Sequence, residues 1–524
     1  MRILYLDLDA LNPTHLSCYG YPRRTSPTID ALAARGLRAS NVYCSDAPCL
    51  PSRTAFYSGR FGIQTGVVGH GGTAADPKPQ GPSRGFKDRY TLDGLAGQLT
   101  QRGYHTAMIS PFGDRHSAHH FYAGFREVHN TGKGGMEIAY EVEPVLHRWL
   151  DDHAADDRWY LHLNFWDIHT PYRTPDGFGD PFKDEPLPGW YTQELVERHV
   201  RNTGPHSALD QGMYGPMNEG QEFRGAIERF PRTIESLDDL RVMINGYDAA
   251  IRYVDDAIAR LLAKLEAAGV LDDTLILVSA DHGENQGDLG GIYGEHATAD
   301  AGTCRVPFVL AGPGVIEGHV DDGLHYHLDF APTLLELIDG STDGCPEVWD
   351  GVSMAATARD GTPAGRHDLV VSQCAHVAQR GVRFDEGEHR WMYVRTYQDG
   401  FFDFPQEMLF DLATDLHEQD DLAPTQPDVC AQAAWRLTRW HDTQMHKMTR
   451  FGADVVDPLW TVVQEGGPFH GCLHEQRGQP GLDKGGVHAY LARLEATGRA
   501  DGAASLRQKH AERYAQLNPG SPPI

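Results

Sequence analysis

Cysteine is scarce in this chain, with eight residues in 524. They have no close, regular spacing, which excludes a disulfide framework, and none forms the CxxC pair of a structural zinc site. Positive charge is also short: 46 Lys and Arg face 73 Asp and Glu, a net charge of -27. That balance excludes a non-specific nucleic-acid binder, which needs basic surface to neutralise phosphates. It admits an anionic substrate only where a local cationic pocket opposes the overall field. Long apolar runs are missing as well, and none approaches the ~20 residues needed to cross a bilayer. The opening "MRILYLDLDALN" is broken by Asp7 and Asp9, unlike a signal peptide. The expectation is a cytoplasmic protein without membrane or nucleic-acid partners. A trimmed leader and a homo-oligomer are left open.

What is present is globular: 40% hydrophobic and 23% charged residues, in a chain too long for one ordinary domain. "ILYLDLDA" alternates as a strand with carboxylates at its C-terminal end, and "GYHTAMIS", "WYLHLNFWDIHTPY", "TLILVSADHG" and "CRVPFVLAGPG" read as further strands. "SPTIDALAARGLRA" reads as a helix stopped by Gly36. Asp248 to Leu265 reads as a longer one, with Ile251, Val254, Ile258, Leu261, Leu262 and Leu265 on one face. This rhythm predicts an α/β fold: a large, mainly parallel or mixed β-sheet sandwiched by helices. Beyond it, "HRWMYVRTYQ" and "QEMLFDLATD" suggest a smaller C-terminal α+β domain with an antiparallel sheet. The expected partition is a catalytic domain over 1–345, with an insertion or lid at about 176–217. The smaller domain covers 346–424, and an extension over 425–524 could contribute to a substrate pocket.

Two constellations carry chemistry. Asp7, Asp9, Asp281 and His282 fall at the ends of two strands far apart in sequence, where open α/β sheets place ligands. Converging carboxylates repel unless a cation lies between them, and oxygen-rich sets suit Ca²⁺, Mg²⁺ or Mn²⁺. As single residues they could equally be caps or solvated loop groups. The second is "SDAPCLPSRTAFYSGR": Cys49 immediately precedes a helix that Pro51 can start, with Arg53 on the same face and Gly59 as a C-cap. A helix N-terminus lowers a thiol's pKa or holds an anion. Core thiol, disulfide half, metal ligand and nucleophile all remain open on these residues alone.

The run Cys49-Leu50-Pro51-Ser52-Arg53, closed by Ser58-Gly59-Arg60, resembles the signature of the formylglycine-dependent sulfatases of the alkaline phosphatase-like superfamily. The resemblance covers about residues 1 to 425, through "LSCYGYPRRTSPTIDALAARG", "YDAAIRYVDDAIARLLAKLEAAGVLDDTLILVSADHGE", "CRVPFVLAGPGV", "LDFAPTLLELIDG" and "EMLFDLATDLHEQDDLA" in the family's order. It implies that a maturation enzyme converts Cys49 to formylglycine. One divalent metal, Ca²⁺ before Mn²⁺ or Mg²⁺, would then be held by Asp9, Asp281, His282 and the group at Cys49. It further implies catalytic roles for Cys49, Arg53 and His169, on a small organosulfate or sulfated saccharide.

Three departures stand out. The family's second Asp is Ala10 here, with Asp7 as a possible substitute ligand. The family's Lys-x-His is absent, leaving Arg115 and His116 as the nearest cationic substrate contacts. The family's lysine ahead of "RVP" is His296, suited to general-acid work. His70, in the loop after the signature helix, is a further substrate-binding candidate, and Trp190, Tyr191, Trp460 and His470 are candidates to shape the pocket. A phosphonate monoester hydrolase or phosphodiesterase of the same superfamily is the nearest alternative, and an inactive sulfatase-like binding protein the other.

Overall fold

The computed structural model describes residues 1–78, 89–135, 137–202, 229–231, 233–400, 402–451, 454–464 and 486–524. Strand Arg2–Leu8 lies at the centre of a nine-stranded sheet and is buried at every position, because helices cover both faces. It pairs in parallel with Trp159–Phe165 on one side and Thr274–Ser279 on the other. His105–Ile109 and Glu127–His129 extend the parallel block outward. Phe308–Ala311 joins antiparallel to Thr274–Ser279 and to Gly36–Tyr43, so the sheet is mixed, as the sequence allowed. Gly36 does not stop a helix. Arg35 caps the helix Pro27–Ala34, and Gly36 opens a strand whose polar middle hides its alternation. A Cβ there would lie 2.2 Å from the Leu310 carbonyl.

The long helix runs Leu237–Ala267, a full eleven residues earlier than Asp248, because Ser236 caps it by accepting from Asp239 N at 3.1 Å. Among the described residues, no helix is long and apolar enough to cross a membrane.

The smaller sheet orders Glu407–Asp411, His389–Gln398, Ala378–Glu386 and Asp368–Gln373 antiparallel, then adds Asp46–Ala47 in parallel. Its last strand therefore comes from the large domain, just before Cys49. The helix Pro427–Phe451 covers this sheet, its Cys430, Ala433 and Leu437 packing on Val370, Phe384 and Trp391. The helix thus belongs with the sheet it packs against, across the boundary expected at 424/425. Helices Gly486–Ala496 and Ala500–Leu517 form a separate apolar cluster. In the described part of the expected insertion, most residues are exposed or half-buried, while Phe182, Tyr191 and Val196 are buried. Residues 203–217 of that segment, and His470, lie outside the described residues.

Candidate active site

The strand ends deliver their carboxylates to one point. Cys49 begins the helix Cys49–Ser58, which is buried along its whole length and is ended by Gly59 at φ +67°. The Sγ of Cys49 lies 3.1 Å from His282 Nε2. His282 Nδ1 donates to the Gly283 carbonyl at 2.7 Å, so Nε2 carries a lone pair and the thiol is the donor. Asp9, Cys49, Asp281 and His282 each offer one ligand atom, all within 4.8 Å of one another and all buried. The Oδ1 of Asp9 has no hydrogen-bond partner among the described residues, while its Oδ2 is met by the Arg53 guanidinium. Buried, unpaired carboxylate oxygens are costly unless a cation meets them, so this donor set fits a divalent metal.

Arg53 is the counter-charge among these acids. Its Nε lies 3.0 Å from Asp7 Oδ2, its Nη2 2.9 Å from both Asp7 and Asp9, and its Nη1 pairs with Asp281 Oδ2. The guanidinium also stacks 4.5 Å from the Phe112 ring centroid. All three nitrogens thus face carboxylates. Asp7 stands outside the converging donor set and is shared between Arg53 and His162, whose Nε2 lies 2.9 Å away. Ala10, at φ +60°, turns its N–H to Asp281 Oδ1 at 3.2 Å, and its methyl offers no ligand atom.

Burial pushes the carboxyls of Asp9 and Asp281 above the usual range despite Arg53. It pushes Asp7 up too, but Arg53 and His162 outweigh it and hold that group low. The Cys49 thiol is pushed well up by burial, then by Asp9 and Asp281. This direction is the opposite of the lowering that a helix N-terminus alone suggests.

A ring of histidines faces the donors. His169 Nδ1 donates to the Thr170 carbonyl at 2.7 Å, and its ring centroid lies 5.0 Å from that of His296. His296 stacks 4.3 Å from His282, with Nδ1 3.3 Å from Glu284 Oε1. Burial lowers His169 and His282 well below the ordinary histidine range, with His296 adding to both shifts. His70 Nε2 accepts the Leu50 N–H at 3.3 Å, at the start of the nucleophile helix, and its ring lies 5.1 Å from His116. Burial and then Arg115 hold His116 down to about 3. Arg115 stacks over Trp166 at 5.0 Å and donates to the Gly134 carbonyl at 2.8 Å. The sequence-derived residues are therefore brought together, apart from the aromatic candidates. Tyr191 is a core residue donating to the Gln286 carbonyl at 2.9 Å, Trp190 stacks on His417, and Trp460 is exposed against Tyr397.

Sequence reasoning missed three contributors. His162 sits within the apolar strand Trp159–Phe165, where its only signal is a histidine facing the same way as Tyr160 and Asn164. Glu284, which holds His296 and Thr170, follows the "DHG" tip directly. His376 comes from the smaller sheet, its ring 5.9 Å from His296; nothing in "SQCAHVAQ" marks it.

Residues 2–341 match the family model described as "Sulfatase". A choline-sulfatase of Rhizobium meliloti is 27% identical over 459 residues, covering 80% of this chain and 81% of the relative. Among solved structures, a 2-O GAG sulfatase superposes with a TM-score of 0.62 at 19% identity, covering 86% of this chain and 95% of its own. The phosphonate monoester hydrolase of Agrobacterium radiobacter gives 0.60 at 18% identity, covering 84% and 96%.

Proposed function

This chain belongs to the sulfatase family and is a sulfuric ester hydrolase, and from that premise we propose that it releases sulfate from a sulfated carbohydrate, with Cys49 matured to formylglycine by a separate enzyme. The observation that carries this reading is the convergence of the Cys49, Asp9, Asp281 and His282 donor atoms at the start of a buried helix. Asp9, Asp281 and His282, with the group at position 49, hold one divalent cation in this reading. Ca²⁺ is preferred over Mn²⁺ or Mg²⁺ because hard carboxylate oxygens dominate the set. When bound there, the cation supplies Lewis acidity and the formylglycine supplies the attacking hydroxyl.

The chain's own residues do the rest. Arg53 holds Asp7, Asp9 and Asp281 in place and offsets their mutual repulsion. His169, its Nδ1–H committed to the Thr170 carbonyl, turns Nε2 to the sulfate and donates to a sulfate oxygen once the ring is protonated. His296, oriented by Glu284, gives a proton to the departing alcohol oxygen. Arg115, His116 and His70 line the approach to the helix start and contact the substrate anion. An entering sulfate brings the negative charge that burial denies these imidazoles, and so favours their protonated forms.

A phosphonate monoester or phosphodiester is the second reading, favoured by one observation: Ala10 leaves the donor set one carboxylate short of the fuller family pattern. Side-by-side turnover of an aryl sulfate and an aryl phosphodiester decides between them. The expected result is the higher kcat/KM for the sulfate, and a higher value for the diester overturns the proposal. Peptide mass mapping after co-expression with the maturation enzyme is expected to find position 49 modified. A persistent thiol together with no bound metal would instead support a binding-only protein.

A further inference from the structure

A second cavity, of about 390 Å³, lies where the smaller sheet meets the large domain. Its size falls within the roughly 300–1,000 Å³ typical of small-molecule sites. Arg305, Arg383 and Arg390 line it, with Tyr19, Tyr43 and Trp190 among its ring-bearing walls. No acidic residue lines it, and none of the catalytic residues does. In a chain of net charge -27, three guanidiniums around one cavity form a local reversal of sign.

The protein meets these charges only in part. Arg383 is fully buried, yet among the described residues its Nε has no hydrogen-bond partner and its one ion pair is Nη1 to Asp385 at 2.6 Å. Arg305 donates to the Ser40 carbonyl at 3.0 and 2.7 Å and pairs with no carboxylate among the described residues. Burial holds it below the usual arginine range, and Arg383 and Arg38 add like-charge repulsion. Arg390, exposed at the rim, makes no side-chain ion pair among the described residues. The acids behind the walls are already engaged: Asp288 with His417 at 2.8 Å, and Asp248 with His15 at 2.8 Å and Tyr21 at 2.7 Å. Trp190 stacks on His417 with ring centroids 3.7 Å apart and planes at 9°, giving one side of the cavity a rigid flat wall.

We propose that this cavity is a second, non-catalytic oxyanion site that binds the sulfate or phosphate group of a small organic ester between Arg305, Arg383 and Arg390, with the ester's body against the aromatic walls. Guanidinium forks match tetrahedral oxyanions and form the stronger, charge-assisted hydrogen bonds. A bound anion would relieve the like-charge repulsion between Arg305 and Arg383. The site borders the catalytic strand end without joining it: a Cβ on Gly283 would lie 3.0 Å from the Arg305 carbonyl.

The test is calorimetric titration of the full-length protein with inorganic sulfate and, separately, inorganic phosphate at low ionic strength. The expected result is an anion equivalent that Arg390→Glu weakens at least about tenfold, that Arg390→Lys largely keeps, and that His169→Ala leaves in place. Whichever anion binds more tightly identifies the ester. Arg383→Gln, checked for folding by circular dichroism, is expected to remove the same equivalent. Arg390→Glu is expected to leave aryl sulfate turnover unchanged. Binding of neither anion overturns the proposal, as does binding abolished by His169→Ala but unaffected by Arg390→Glu. Because the readout is binding, loss of the sulfatase reading would leave this outcome standing on its own.

Discussion

At the scale of single residues, His296 occupies the position with the most to decide. It touches His169, His282 and Glu284, and an imidazole there is placed to hand a proton to a leaving oxygen. His296→Gln is expected to lower kcat about 10²- to 10⁴-fold on alkyl or sugar sulfates. The loss should be much smaller on sulfates of electron-poor phenols, whose oxygen leaves without a proton. Equal losses on both substrate types would remove the general-acid role. Asp9 and Cys49 make a different prediction. With Asp9 Oδ1 buried and without a hydrogen-bond partner, chelation is expected to abolish turnover and lower the thermal midpoint, and added Ca²⁺ to restore both. Cys49→Ala should show no multiple turnover even when saturated with metal.

Elements hold these residues in place through a few backbone requirements. Gly59 ends the Cys49–Ser58 helix in the left-handed region, and a Cβ there would stand 2.7 Å from the Trp349 ring. Gly59→Ala is expected to cost more than about 1 kcal/mol, read as a lower urea midpoint, and unchanged stability would contradict the capping geometry. The loop after strand Trp159–Phe165 is held by Asp167, which accepts from Ala139 N at 2.9 Å at the start of the helix Ala139–His153. Burial raises Asp167 to about 7. Because the folded value lies above the unfolded one of ~3.9, the folded state binds this proton more tightly. The associated stability is complete below about pH 4 and lost as pH rises through about 7. Asp167→Asn should therefore flatten the decline in stability between about pH 4 and 7, measured by urea midpoints; parallel profiles would rule out the assignment. Strand Gly36–Tyr43 shows why elements were only partly legible. Its centre, Arg38 to Asn41, carries too little apolar alternation to mark a strand, and pairing with Phe308–Ala311 and His319–Tyr326 supplies what its sequence lacks.

Across the whole molecule, the two sheets are joined beside the Cys49 donor cluster. Asp46–Ala47, two residues ahead of Cys49, pairs with Asp368–Gln373, and His376 follows that strand into the histidine ring. The C-terminal segment is tied to the same sheet by a buried bidentate pair, Arg380 to Asp457, at 2.8 Å for both contacts. Breaking such a pair leaves an uncompensated buried charge. Arg380→Ala is expected to destabilise by about 3–5 kcal/mol, while the double replacement Arg380→Met with Asp457→Leu costs far less. Chemical denaturation of the three proteins tests this, and equal losses in the single and double variants would refute it.

The sequence alone determined the sheet's parallel centre, the helix after Cys49 and the acids at the strand tips, because each depends on local periodicity and on residue types at short spacing. It also named Cys49, Arg53, Asp9, Asp281, His282, His169 and His296, whose motifs are contiguous. Only the tertiary structure decided that Arg53 spends all three nitrogens on carboxylates, that Asp7 is shared with His162, and that His376 crosses from the smaller sheet. It alone assembled three arginines, distant in sequence from Tyr19 and Trp190, into one cationic cavity. Such relations join residues hundreds of positions apart, and burial and charge pairing across that distance leave no period in the chain to read.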